Sequence, residues 1–232
     1  MRVAIVENTA GTPLGQVGKA LAEAGATTEW FRPYCDGGLP TDPDAFDGLV
    51  VLGGEQSALD DDLHPYLPSL ARLMRRFGDA DRAVLGICLG SQLLARAYGA
   101  ENRLGVAREF GWHQVTATEA GRTDPVLGAA GSAFPIFQWH SDTMTLPGDA
   151  VHLAENPAAP VQAFRIGRAV YGTQFHFEAN REVVADWSVA YAEAVEKRHP
   201  GWAEALPKLA AAHGPAADAA GLAIARAWVA LV

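Results

Sequence analysis

The sequence predicts an α/β fold: a doubly wound, mostly parallel sheet with helices on both faces. Two continuous apolar runs, GLVVL at 48–52 and AVLGI at 83–87, are typical of strands that are buried on both faces. Helical periodicity follows each run, over about 63–77 and 89–98. Strands that alternate with helices form parallel sheets, because each crossover helix returns the chain to the same edge.

The N-terminal elements continue this alternation. A short β-branched run at 2–6 predicts the first strand, and apolar residues at helical spacing predict a helix over 14–24. A second strand is predicted at 27–31, followed by a loop rich in turn residues over 35–45.

The middle third of the chain predicts a mixed or antiparallel extension of the sheet. Short apolar runs separated by Gly, Pro and Asp lie at 112–118, 133–139, 151–153 and 161–164. A last strand is predicted at 169–175, leading into the letters HFE.

Helical patterns dominate the C-terminal part. One helix is predicted over 179–197, and the alanine-rich tail over 202–232 predicts one or two more. We expect residues 1–232 to form a single domain with a core over about 1–195, because no linker divides the chain. The extension over 196–232 could cover the edge of the sheet or pack against a second copy of the chain, so a homodimer is one option.

The composition of the chain restricts the classes of partner and the compartment that we expect. The formal net charge is −9, which disfavours nucleic acid and anionic membrane surfaces. The chain has two cysteines, Cys35 and Cys88, and no apolar run that approaches the length of a membrane span. We therefore expect a cytoplasmic protein.

The most informative segment is GICLGSQ at 86–92. Cys88 lies between a predicted buried strand and a predicted helix, with glycines at i−2 and i+2. Glycine relieves the crowding of such a sharp turn, and the N-terminus of the following helix favours the thiolate. Cys88 is therefore predicted to be a nucleophile. Cys35, in a turn-rich loop without a matching base, is interpreted as incidental.

A cysteine nucleophile needs a base and a group that orients the base. His176 and Glu178 follow the last predicted strand and are two residues apart, so their side chains point to the same side of an extended segment. Both would lie at the carboxyl ends of the strands, where open α/β sheets bind their ligands. They are predicted to complete a triad with Cys88.

An oxyanion hole is predicted from two further positions. Gly53 and Gly54 follow a buried strand, so a peptide N–H there can turn toward the site. The N–H of Leu89, directly after the nucleophile, is the second candidate donor.

These motifs, in this order, resemble the class I (triad) glutamine amidotransferases. The resemblance rests on GICLGSQ, the glycine pair after GLVVL, and QFHFE, and extends through GGEQSALDDDLHPYL and FQWHSDTMTLP. It covers roughly residues 45–180, and is greatest to stand-alone proteins similar to the amidotransferase domain of GMP synthetase. It implies a flavodoxin-like doubly wound sheet.

The resemblance also implies roles for individual residues. Cys88 would form a γ-glutamyl thioester, with His176 as base, Glu178 as its partner, and Gly54 and Leu89 as the oxyanion donors. The substrate contacts implied at this stage are Gln92, Gly53, His140 and Ser141; for His140 and Ser141, a supporting structural loop is the alternative. No metal or organic cofactor is implied. Glu55 departs from the pattern, because the synthetase-type loop commonly has proline there; it could favour a substrate with an amine or point to solvent.

Three functions stay open at this point. The chain could hydrolyse a γ-glutamyl amide by itself, or it could be a glutaminase subunit that delivers ammonia to a separate synthetase. A catalytically idle binding or regulatory protein is the third interpretation, and the presence of all three triad residue types argues against it.

Overall fold

A computed structural model describes residues 1–35 and 38–232. The strands are β1 Arg2–Val6, β2 Thr27–Phe31, β3 Gly48–Val51, β4 Ala83–Ile87, β5 Asn102–Arg103, β6 Glu109–Ala117, β7 Ala133–His140, β8 Thr143–Met144, β9 Val151–Glu155, β10 Ala163–Ile166 and β11 Val170–Thr173. The α-helices are α1 Gly15–Glu23, α2 Leu67–Asp79, α3 Leu89–Ala97, α4 Glu119–Thr123, α5 Arg181–Ala190, α6 Ala192–Arg198 and α7 Trp202–Val229.

Nine strands form one sheet in the order β2-β1-β3-β4-β11-β10-β9-β6-β7. The half from β2 to β11 is parallel, and the half from β11 to β7 is antiparallel. The predicted fold class and the predicted antiparallel extension are therefore confirmed. The chain moves from β1 outward to β2 and then back to β3 on the other side of β1. This reversal makes the doubly wound switch point at the centre of the parallel half.

Helices cover both faces because the strand residues alternate between two cores. Val3 and Ile5 of β1 pack on one face with apolar residues of α1 and α7. Ala4 and Val6 point to the other face, where α2 and α3 pack. Each buried face of the sheet is thus closed by one helix pair.

Three predicted boundaries were wrong. The helix predicted from residue 63 begins at Leu67, because Pro65 disfavours helical geometry before it and Pro68 fits the first turn. The last strand ends at Thr173, so residues 174–178 lie beyond it. The helix predicted over 179–197 is divided at Tyr191 into α5 and α6.

The C-terminal tail forms one helix, α7, which packs against α1. It contributes Ile224 and the fully buried Trp228 to the core that α1 also closes. The single-domain organisation and the homodimer stay predictions. The predicted loop over 35–45 includes residues 36 and 37, which lie outside the described residues. No helix in the described part of the chain has the length and hydropathy to cross a membrane.

Candidate active site

Cys88 lies at a sharp turn between β4 and α3. Its φ is +52°, a value that only a crowded or constrained site imposes on a residue with a side chain. A methyl group at Gly90 would overlap the carbonyl of Val51, and one at Gly86 would overlap the backbone of Gly90. Glycine at both positions therefore allows the turn that places Cys88 at the carboxyl edge of the sheet.

His176 and Glu178 form a buried pair beside this turn. The Nδ1–H of His176 donates to Glu178 Oε1 over 2.6 Å, and Glu178 is fully buried. The peptide N–H of His176 donates to the carbonyl of Phe137 over 2.9 Å, which fixes the segment after β11 against β7. The predicted closeness of imidazole and carboxylate is observed, although both residues lie beyond the end of the strand.

Charge around His176 decides its protonation. Burial by itself lowers the pKa of His176, but the charges of Glu178 and Cys88 and the hydrogen bonds to them raise it, and the net pKa is well above the ordinary value. An imidazolium beside Cys88 is thereby favoured at neutral pH. Such a group can stabilise a thiolate and later give a proton to a leaving group.

Gly53 and Gly54 line the same side of the cysteine. A methyl group at Gly53 would lie 3.1 Å from His176 Cε1 and 3.6 Å from Cys88 Cβ, so any side chain there would press on both residues. Within the described residues, the N–H groups of Gly54 and Leu89 have no hydrogen-bond acceptor. An oxyanion hole requires N–H donors of this kind, which are free to bind an oxyanion beside the reacting cysteine.

The loop that carries these glycines is braced by residues that the sequence analysis did not identify. The side chain of Asn8, two residues after β1, donates to the carbonyl of Leu52 over 2.8 Å. Gln56 donates to the carbonyl of Asn8 over 2.7 Å, and the N–H of Glu55 donates to the hydroxyl of Thr9 over 3.2 Å. Polar residues at the carboxyl end of β1 were the available signal.

Gln174, another residue that the sequence analysis did not identify, lies beside Cys88. Its Nε2 lies 3.7 Å from Cys88 Sγ, and its Oε1 accepts a bond of 3.2 Å from Gln92 Nε2. Gln92 Nε2 also lies 3.3 Å from the carbonyl of Asp142. Because both partners of the Gln92 amide nitrogen belong to the protein, a substrate contact through Gln92 would use its amide oxygen.

His140 is turned toward a buried carboxylate. Its Nε2 lies 3.1 Å from Glu109 Oε2, and its Nδ1 lies 3.0 Å from the carbonyl of Asp142. Burial tends to raise the pKa of Glu109, but hydrogen bonding to and the charge of His140 lower it, and the net shift is downward. This geometry favours a supporting role for His140 in holding the 140–142 loop. Ser141 is exposed, and its carbonyl accepts from Ala107 N. Substrate contact by either residue stays a prediction.

Three aromatic side chains extend from the triad to the surface; we call Trp187, Trp139 and Tyr191 the aromatic row. The ring of Trp187 lies 5.3 Å from that of His176, edge to face. Trp139 lies 5.8 Å from Trp187 and 5.4 Å from Tyr191. The backbone carbonyl of Trp139 is also 3.8 Å from Cys88 Sγ, so the row begins directly beside the nucleophile.

No group of three or more His, Cys, Asp or Glu side chains in residues 1–35 and 38–232 could hold a metal ion. That the reaction needs neither metal nor organic cofactor stays a prediction.

The fold and the site define an α/β protein with a Cys–His–Glu arrangement at the carboxyl edge of its sheet. The sequence model of the family Glutamine amidotransferase class-I matches residues 16–184. The chain belongs to the class I glutamine amidotransferase family.

Individual relatives give more detail. The chain is 38% identical over 187 residues to the glutamine amidotransferase-like protein YfeJ of Salmonella typhimurium, covering 79% of this chain and 78% of YfeJ. It is 32% identical to gamma-glutamyl peptidase 5 of Arabidopsis thaliana, covering 70% of this chain and 66% of the peptidase. A glutamine-hydrolyzing GMP synthase subunit of Methanococcoides burtonii is 29% identical, covering 57% of this chain and 64% of that protein.

Among solved structures, a glutamine amidotransferase from Thermotoga maritima has the same fold. It superimposes with a TM-score of 0.86, covers 98% of each chain, and is 24% identical in sequence. The likeness includes the C-terminal helical region, since it covers nearly the whole chain.

Proposed function

We propose that this chain hydrolyses a γ-glutamyl amide bond through a thioester on Cys88. One observation carries the proposal. The Cys88 turn, the His176–Glu178 pair with its 2.6 Å bond, and the uncommitted N–H groups of Gly54 and Leu89 all meet at one edge of the sheet. Nucleophile, oriented base and oxyanion donors are the three parts that acyl transfer requires.

In the first step, the thiolate of Cys88 attacks the δ-carbonyl carbon of the substrate. The carbonyl oxygen becomes negative and accepts hydrogen bonds from the N–H groups of Gly54 and Leu89. The C–N bond then breaks, and the imidazolium of His176 gives its proton to the departing nitrogen. The products of this step are a γ-glutamyl thioester and a free amine or ammonia.

In the second step, His176, now neutral, takes a proton from water while the water oxygen attacks the thioester carbon. The C–S bond breaks, glutamate leaves, and the thiolate–imidazolium pair is restored. Glu178 accepts the hydrogen bond from His176 Nδ1 and stabilises the imidazolium in both steps.

Amides with a substituent on the nitrogen are the favoured substrates in this proposal. The similarity to gamma-glutamyl peptidase 5 supports this choice, since it extends over 70% of the chain. The similarity to the GMP synthase subunit of M. burtonii, over 57% of the chain, supports the second candidate, a glutaminase that delivers ammonia to a separate synthetase.

Both thiols of the chain are free, which is usual for proteins in a reducing compartment, and we include a cytoplasmic location in the proposal.

The test is glutamate release by the purified chain from glutamine and from a panel of γ-glutamyl amides. We expect turnover of N-substituted amides that exceeds turnover of glutamine and is lost in Cys88→Ala. Cys35→Ala, which removes the exposed thiol, is the matched control and should retain activity. Turnover of glutamine alone, raised by a synthetase, would favour the second candidate. Equal activity in Cys88→Ala would end the proposal.

A further inference from the structure

The side on which the amine leaves follows from the position of the base. His176 must reach the departing nitrogen, so the amine lies on the His176 side of the nucleophile. That side is formed by Gly53, where an added methyl group would meet both His176 and Cys88, and by Trp187, whose ring is 5.3 Å from the imidazole. Gln174 and Gln92 extend instead from Cys88 toward the carbonyl of Asp142.

The aromatic row therefore forms the wall next to the leaving amine. Trp187 is buried beside the base, whereas Trp139 and Tyr191 are only half-buried and offer ring surface to a bound molecule. Aromatic faces bind alkyl chains through apolar contact and bind ammonium groups through cation–π attraction.

A carboxylate ends this wall. Glu55 follows Gly54 directly in the chain and is exposed. Burial raises the pKa of Tyr191, and the nearby charge of Glu55 raises it further. Glu55 therefore lies near Tyr191, at the outer end of the aromatic row. No Lys, Arg or His among the described residues makes an ion pair with Glu55.

We infer that Glu55 and the aromatic row form a subsite for a leaving amine that carries a second, positively charged amino group. The substrate class would be γ-glutamyl derivatives of diamines and polyamines. The alkyl chain would lie along Trp139 and Tyr191, and the distal ammonium would pair with the Glu55 carboxylate, which is otherwise without a cation. This inference rests on the proposed γ-glutamyl amide hydrolysis.

The chemistry of the bond is unchanged by this assignment. His176 protonates the nitrogen whose bond to the δ-carbon breaks, and the distal ammonium keeps its proton throughout. The products are the free diamine and, after water attacks the thioester, glutamate. Glu55 contributes binding of the leaving group and takes no part in proton transfer.

Three γ-glutamyl amides of equal chain length test the subsite: those of diaminobutane, pentylamine and aminopentanoate. Their tails end in an ammonium, a methyl and a carboxylate group. We expect kcat/KM for the diaminobutane amide to exceed that for the pentylamide by about tenfold, as one exposed ion pair and one cation–π contact allow. The aminopentanoate amide should be the poorest of the three, because its charge repels Glu55.

Two variants test whether Glu55 and Tyr191 cause the preference for the diaminobutane amide. Glu55→Gln should reduce the ratio between the diaminobutane amide and the pentylamide to near one, and Tyr191→Phe should reduce it in part. The matched control is Glu119→Gln, which removes the same charge from an exposed position on α4. It should keep the ratio of the unchanged protein. A ratio near one in the unchanged protein, or an equal ratio in Glu55→Gln, would overturn the inference.

Failure of the inference and failure of the proposed function give different results. Equal hydrolysis of the diaminobutane amide and the pentylamide would overturn only the subsite. Absence of hydrolysis of every γ-glutamyl amide, together with absence of their binding to Cys88→Ala in calorimetry, would overturn both. If hydrolysis is absent but the Cys88→Ala variant binds the diaminobutane amide more tightly than the pentylamide, the subsite is supported and the catalytic proposal is not.

Discussion

At the scale of single residues, the proposed chemistry depends on the protonation of one buried imidazole, that of His176. Glu178 is fully buried, and its Oε1 accepts from His176 over 2.6 Å. Because the pKa of His176 is raised in the folded protein, the imidazolium persists at neutral pH and is lost as pH rises through that raised value. The stabilisation that the charge gives to the fold is present below the unfolded pKa of histidine and is lost over the same rise.

Replacement of Glu178 tests this assignment. In Glu178→Gln the charge that raises the pKa of His176 is gone, whereas burial, which lowers it, stays. We expect the alkaline limb of the pH profile of kcat/KM to move to lower pH, with activity reduced on the alkaline side of neutrality. The measurement is the pH profile of kcat/KM for the variant and for the unchanged protein. An alkaline limb at the same pH in both would show that another group controls it.

Gln174 is expected to support the thiolate of Cys88. Gln174→Met removes the Nε2 group that lies 3.7 Å from Cys88 Sγ. A hydrogen bond to a charged group contributes about 1.5–3 kcal/mol, so we expect kcat/KM to fall by about tenfold or more. Gln138→Met is the matched control, because Gln138 is equally buried and donates to Gln162. Equal losses of kcat/KM in the two variants would remove the assigned role.

Sequence reasoning predicted Cys88, His176 and Glu178, which the structure brings together, but it missed their neighbours because those residues are far apart along the chain. Cys88, His176 and Glu178 each carry a local signal: flanking glycines, a preceding strand, a spacing of two. Gln174 and Asn8 carry no such local signal. They lie near Cys88 only because β11 and β1 bring them to the same edge of the sheet. Likewise, no local pattern indicates that His140 turns toward Glu109, which is 31 residues away.

At the scale of elements, α1 and α7 hold the end of the triad segment. The N–H of Gln16 donates to the carbonyl of Glu178 over 2.9 Å, and its side chain donates to the carbonyl of Phe177 over 3.0 Å. A methyl group at Gly221 of α7 would overlap both Gln16 and Phe177. Close approach of the two helices is therefore part of what positions Glu178.

Gly221→Ala should disturb this contact. We expect a loss of about 1–3 kcal/mol in the free energy of unfolding, as for other overpacked core sites, together with reduced kcat/KM. Gly148→Ala, where an added methyl group meets open space, is the control and should change neither quantity appreciably. Urea unfolding and steady-state kinetics measure the two effects. Unchanged stability in Gly221→Ala would mean that α7 moves without cost.

The existence of the elements was more predictable than their ends. Apolar runs identified β1, β3 and β4 to within one residue. The ends of α2 and β11 depend on proline geometry and on where a neighbouring strand stops pairing, and the break at Tyr191 places that ring against Trp139. Tertiary contacts therefore set the ends of these elements, which the periodicity of the sequence does not indicate.

At the scale of the whole molecule, the C-terminal helix is part of the core. Trp228 is fully buried and packs in the same cluster as α1 and the sheet, while Val189 on α5 is 80% exposed. We expect Trp228→Ala to cost about 3–5 kcal/mol in the free energy of unfolding. Val189→Ala should change it by less than about 0.5 kcal/mol. Denaturant titration of both variants provides the comparison, and a small loss for Trp228→Ala would mean that α7 contributes little to the fold.

The central claim is that a γ-glutamyl group becomes attached to Cys88. Mass spectrometry of protein that is acid-quenched during turnover of a γ-glutamyl amide tests it most directly. We predict a mass increase of one glutamyl group on the peptide that contains Cys88, no increase on the peptide that contains Cys35, and loss of the adduct at alkaline pH. Glutamate release with an adduct on Cys35, or with no adduct under any quench condition while Cys88→Ala stays active, would contradict it.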